Sequence, residues 1–168
     1  IEIPICNLKF VLAHHFKLIK NEIIKVSKKQ RKPKSTKYAM TSELGYMELG
    51  DIKIMLVPGE LYPELAMGGF LDSEHSANGY DMEVSTIYDI MGDGKKMIFG
   101  LANDEVGYIV PANDYCVHKR LPYILDGYDN HGRKHYEETN CTGIYTAEVI
   151  LTGAEELINE FKKRKDNE

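Results

Sequence analysis

An α/β or α+β fold, with a mixed sheet and flanking helices, is what this sequence predicts, and three observations carry it. Apolar and polar residues alternate in short strand-like runs such as IEIPIC at 1–6. Two further runs are separated by a turn signal at Gly50-Asp51. Apolar residues recur at helical spacing in two places, 10–19 and 147–161. Composition agrees: of 168 residues, 43% are hydrophobic and 28% charged, which argues against collagen, coiled coil or disorder. At the usual ~100 to 200 residues per domain, residues 1–168 read as one domain or as a fragment of a larger one.

Taken in order, Ile1, Ile3 and Ile5 alternate with Glu2 and Pro4, predicting a strand with Pro4 near a sheet edge. Asn7 reads as the cap of an amphipathic helix that runs to about Lys20 and carries Phe10, Val11, Ala13, His14, Leu18 and Ile19 at helical spacing. A short apolar stretch, Ile23 to Val26, leads into a basic loop over 27–37. Strand-like mixing from Tyr38 to Glu48, the Gly50-Asp51 turn and the run IKIMLV at 52–57 predict a hairpin. Pro58-Gly59 ends that strand, and 61–70 reads as a short helix closing on Gly68-Gly69. A polar loop over 72–82 follows. KMIFGL at 96–101 reads as a second buried strand, followed by Asn103-Asp104-Glu105 and GYIV at 107–110. Residues 120–132, rich in Pro, Gly, Tyr and Asp, read as a loop. The last element, Tyr145 to Lys165, places Ala147, Ile150, Ala154, Leu157, Ile158 and Phe161 on one helical face. Its terminal lysines lie where the helix dipole favours cations. Strand order does not follow from the sequence.

Charge is unevenly distributed. The formal net charge is −5, yet residues 1–38 hold ten Lys/Arg against two Glu. The cluster KKQRKPKSTK lacks aromatic residues for base stacking and the rest of the chain is acidic, which argues against nucleic acid as a partner. A solvated loop is the simplest reading of the cluster, with anionic lipid or an acidic surface as the alternative. No run approaches ~18 apolar residues, so no transmembrane segment is expected in this chain. The sequence opens at Ile1 inside an alternating run, which reads as a fragment or a processed chain. Cys6, Cys116 and Cys141 are too few and too scattered for a disulfide framework.

The chain has no GxSxG elbow, P-loop, HExxH or CxxC. His131 and His135 have metal spacing, but Asp129-Asn130 and Gly132 place them in a loop, where hydrogen bonding is the simpler role. Placement is more informative. Ligand sites in α/β sheets lie past the C-terminal ends of strands, and two sharp strand ends, VPGE at 57–60 and GLANDEVGY at 100–108, would bring Glu60, Asn103, Asp104, Glu105 and Tyr108 toward one site.

VPGE at 57–60, GLANDEVGYIVP at 100–111 and HYEETNCTG at 135–143, in that order before a closing helix, resemble the C-terminal part of the catalytic domain of neutral/alkaline non-lysosomal ceramidases, and most nearly their uncharacterised bacterial members. The resemblance spans about 38–160 and implies a zinc amidase. Its metal would be held by Glu60, by Tyr108 and by two histidines from an N-terminal part that this chain does not include. Tyr136 would assist at the scissile amide, and Asn103 and Asp104, placed by the strand end rather than by the resemblance, would contact substrate. Zinc acidifies water for attack on an amide, so the implied reaction is hydrolysis of the N-acyl bond of a ceramide-like or other acylated amphiphile. LYPELAMGGF follows the glutamate where true ceramidases commonly have paired arginines, and a Pro- and Asp-rich insertion separates Tyr108 from Tyr136, which argues against ceramide itself. The sequence does not fix a compartment, and the resemblance is compatible with an extracytoplasmic one. The competing reading is a non-catalytic lipid-binding or surface-interaction module that retains the fold.

Overall fold

The computed structural model describes residues 1–17, 23–25 and 36–167. In chain order its elements are β1 (Glu2–Pro4), α1 (Leu8–His15), β2 (Ile23–Lys25), β3 (Tyr38–Thr41), β4 (Gly45–Leu49), β5 (Ile52–Leu56) and β6 (Glu60–Leu61). There follow α2 (Pro63–Met67), α3 (Ile87–Met91), β7 (Lys95–Phe99), β8 (Tyr108–Ile109), β9 (Gly127–Tyr128), β10 (Lys134–His135) and α4 (Thr146–Lys165). Helices and strands are mixed along the chain, and one sheet combines antiparallel and parallel pairs, as the sequence predicts. The basic loop predicted over 27–37 lies outside the described residues except for Thr36 and Lys37, as does the predicted end of the first helix at 18–20.

The alternating start of the chain forms an edge strand. β1 pairs with β3, which pairs on its other side with β2, all antiparallel. Asn7 caps α1 through its Oδ1, which accepts from Lys9 N at 3.1 Å, while its amide donates to Thr139 O at 3.1 Å and Cys141 O at 3.0 Å. One buried side chain thus both starts the helix and ties it to a segment more than 130 residues away.

The predicted hairpin is β4–β5, in register from Gly45↔Leu56 to Leu49↔Ile52, and β7 adds to β5 in parallel. In-register residues share a face. Tyr46, Met55 and Ile98 turn toward α3 and α4, where Met55 joins Leu65, Ile87, Met91, Ile150 and Ile158 in the main core and Tyr46 meets Phe161 edge-on. Met47, Leu49, Met97 and Phe99 turn to the other face and stand exposed. The predicted buried strand at 96–101 is therefore corrected: β7 is an edge strand covered on one face, so only alternate residues are shielded.

Three other expectations change. The helix expected over 61–70 shrinks to α2, because Pro63 takes its first turn and Glu60-Leu61 pair with β8 instead. The loop at 120–132 contains β9, which pairs with β10. α3 was not expected, although its capping box is legible: Thr86 Oγ1 accepts from Asp89 N and the Asp89 carboxylate accepts from Thr86 N, the S/T-x-x-acid pattern. α4 matches its predicted span, with Ala147, Ile150, Leu151, Ala154 and Ile158 buried.

Candidate functional site

The three segments VPGE, GYIV and HYEETNC are stitched together by backbone. β6 and β8 pair in parallel with Glu60 opposite Tyr108; Glu60 N donates to Gly107 O at 3.0 Å and Tyr62 N to Ile109 O at 3.2 Å. Gly107 in turn bridges to Cys141. Leu101, Ala102 and Val106 donate their backbone N–H groups to Gly59, Val57 and Pro58, wrapping the 100–106 loop around the strand end. Two glycines make this approach possible. A Cβ on Gly59 would lie 2.4 Å from Gly107 O. One on Gly107, whose φ is +82°, would lie 1.8 Å from Asn140 O.

The result is a cleft of about 560 Å3, walled by Lys9, Phe10 and Ala13 of α1 and by Glu60, Tyr108 and Tyr136. The phenol oxygens of Tyr108 and Tyr136 are 3.2 Å apart, with their rings edge to face at 5.7 Å. Glu60 stands opposite Tyr108 in register, close enough for its charge to act on the phenol. The bond to Tyr136 pushes the Tyr108 phenol well above its ordinary range, and partial burial and the Glu60 charge act in the same direction. In this state Tyr108 is a neutral donor beside a carboxylate.

The structure thus brings together Glu60, Tyr108 and Tyr136. Among the described residues, neither Asn103 nor Asp104 lines the cleft. Asn103 takes a left-handed conformation, φ +70°, in the wrapping loop, and Asp104 accepts from Ser42 Oγ at 2.7 Å. Glu105 lines the cleft instead, its carboxylate accepting from Gly107 N at 2.9 Å. Sequence reasoning singled out Glu105 by position. It had no signal for Lys9 and Phe10, which reach the site only because Asn7 anchors their helix there.

His75, His118 and His135 each have local partners outside the cleft. His75 Nδ1 is 2.6 Å from Asp72, and His118 Nδ1 accepts from Arg120 N and Leu121 N. His135 belongs to a buried network behind Tyr136. Its Nδ1 lies 2.9 Å from Glu138 Oε1 and its Nε2 3.2 Å from Asp129 Oδ2, while Arg133 donates to Asp129 and to Asp114 at 2.7 and 2.6 Å. Asp114, Asp129 and His135 bring ligand atoms within 4.8 Å of one another, a group that could hold a metal ion, although Arg133 already supplies positive charge to both carboxylates.

Burial opposes the His135 charge, but hydrogen bonds to Glu138 and Asp129 and the charges of Glu138 and Asp114 outweigh it and raise its pKa from 6.5 to about 8. Asp129 shifts the opposite way: burial raises it, and bonds from Arg133 and His135 more than offset this and hold it below the ordinary carboxylate range. The His135 contribution to stability is therefore full below about pH 6.5 and lost as pH rises through about 8; that of Asp129 is full above about pH 4 and lost in acid. Unfolding measured against pH should lose roughly 2 kcal/mol from about pH 5.5 to 9, about 1.3 kcal/mol of it between pH 6.5 and 8, and His135→Gln should flatten that decline.

Comparison with family models, with curated proteins and with solved structures finds no match. Among the described residues, no helix is long and apolar enough to cross a membrane.

Proposed function

We propose that this chain supplies part of the active site of a zinc-dependent amide hydrolase, similar to neutral ceramidases, that cleaves the N-acyl bond of an acylated amphiphile. One observation carries the reading: Glu60, Tyr108 and Tyr136, assigned separately from three motifs spread over 77 positions, line one cleft. The donor set fits half of a catalytic metal shell. A carboxylate and a phenol face open space, and two histidines from outside this chain would complete four ligands. Zinc held there acidifies water and polarises an amide carbonyl.

The roles of the chain's own groups follow from their surroundings. Glu60 contributes a negative oxygen. Tyr108 would be the second ligand from this chain, since a cation held beside Glu60 would offset the charge that helps keep the phenol protonated. Tyr136 is the more exposed phenol, and accepting from Tyr108 leaves its own O–H free to donate to the substrate carbonyl oxygen. As water oxygen adds to the carbonyl carbon, negative charge builds on the carbonyl oxygen, where Tyr136 donates to it, and a proton of the water passes to the amide nitrogen. The C–N bond then breaks, releasing a carboxylic acid and an amine. Phe10 and Ala13 supply apolar wall for the acyl chain. Chelation should stop release of fatty acid from an N-acyl amphiphile by the intact protein with its histidines, and added zinc should restore it. Hydrolysis that persists through chelation would remove the metal from the mechanism.

A further inference from the structure

We infer that α1 is a docking helix that seats the cleft on an anionic lipid surface. The inference deepens the amphiphile-hydrolase reading and takes its purpose from it, but its observations are independent. The helix has two apolar faces. Phe10 and Val11 pack against the main core and Ala13 lines the cleft, whereas Leu8, Leu12 and Phe16 point away and are 59%, 57% and 68% exposed. Their i, i+4, i+8 spacing places them in one line, and Phe16 continues the helical turn, its N–H donating to Leu12 O at 3.0 Å. A helix that is apolar on both sides needs a second apolar phase.

Charge indicates which phase. Lys9 on α1 and Lys17 just past its end are exposed, and the described residues of 1–38 carry four lysines, Lys9, Lys17, Lys25 and Lys37, against one glutamate, Glu2, in a chain whose net charge is −5. The described part of 1–38 is therefore basic, whereas residues 39–168 are acidic. An anionic bilayer attracts the first and repels the second, which both binds and orients the molecule. Three apolar side chains with adjacent basic residues make the two-signal combination that holds a protein on a membrane without spanning it. Lys9 lies both on the exposed side of α1 and on the cleft wall, so docking through this helix brings the cleft mouth to the lipid.

The test is co-sedimentation of the full chain with vesicles of phosphatidylcholine alone and of phosphatidylcholine mixed with phosphatidylglycerol. Binding to the anionic vesicles is expected, falling about tenfold or more on raising the salt or in the double variant Leu12→Ser/Phe16→Ser, with circular dichroism unchanged. If the double variant fails to fold, Lys17→Glu carries the test through a measurable loss of binding. Equal binding by wild type and a folded variant, or no binding to anionic vesicles, would overturn the inference. So would a concentration-dependent dimer abolished by the same substitutions, since the line would then belong to a second copy. Hydrolysis of a soluble short-chain N-acyl substrate by the intact protein with its histidines separates the two claims. Hydrolysis without vesicle binding leaves the enzyme reading intact, and vesicle binding without hydrolysis leaves only the docking helix.

Discussion

Replacing Glu60 by Ala is expected to abolish zinc binding and amide hydrolysis together in the intact protein. Glu60 sits in register with Tyr108 at the head of the short β6–β8 pair, and its carboxylate is exposed into the cleft. Glu105, the nearest substitute, is already engaged by Gly107 N. Loss of a direct ligand should exceed the 10- to 100-fold cost, about 1.4 to 2.7 kcal/mol, of losing an outer partner. Stability should change by no more than about 0.5 kcal/mol, because the side chain is on the surface, so inactivity with an unchanged melting curve assigns the loss to the site. Removing the Glu60 charge should also lower the pKa of Tyr108 toward its ordinary range, visible in a spectroscopic tyrosine titration.

Tyr136→Phe is expected to leave zinc bound and to lower kcat by roughly 100-fold, with KM little changed. The ring keeps its edge-on contact with Tyr108, so packing survives and only the hydroxyl is lost. That hydroxyl is the leading influence holding Tyr108 above its usual range, so the variant should also lower the Tyr108 pKa, a shift that merely structural damage would not produce selectively.

Much of the fold was legible because its signals are local. The Gly50-Asp51 turn between alternating runs defines β4–β5, and the 3.6-residue spacing from Ala147 to Phe161 defines α4. What was missed depends on tertiary coverage. Met97 and Phe99 have the composition of a buried strand, but β7 lies at a sheet edge with one face uncovered, which no local pattern reports. The site divides in the same way. Glu60 and Tyr108 were readable as residues just past strand ends, and their strands do pair. Asn103 and Asp104 were grouped with them by proximity in sequence, but the 100–106 loop turns Asp104 to Ser42. The contribution of α1 rests on the contacts of Asn7 with Thr139 and Cys141, which are too distant in sequence to be foreseen.

The most direct measurement is zinc content and N-acyl amphiphile hydrolysis determined side by side in intact wild type, Glu60→Ala and Tyr136→Phe. The account expects wild type to bind zinc and cleave the amide, Glu60→Ala to do neither, and Tyr136→Phe to bind zinc while turning over roughly 100-fold more slowly. Full hydrolysis by Glu60→Ala, or a zinc-loaded wild type that cleaves no N-acyl lipid, would contradict it.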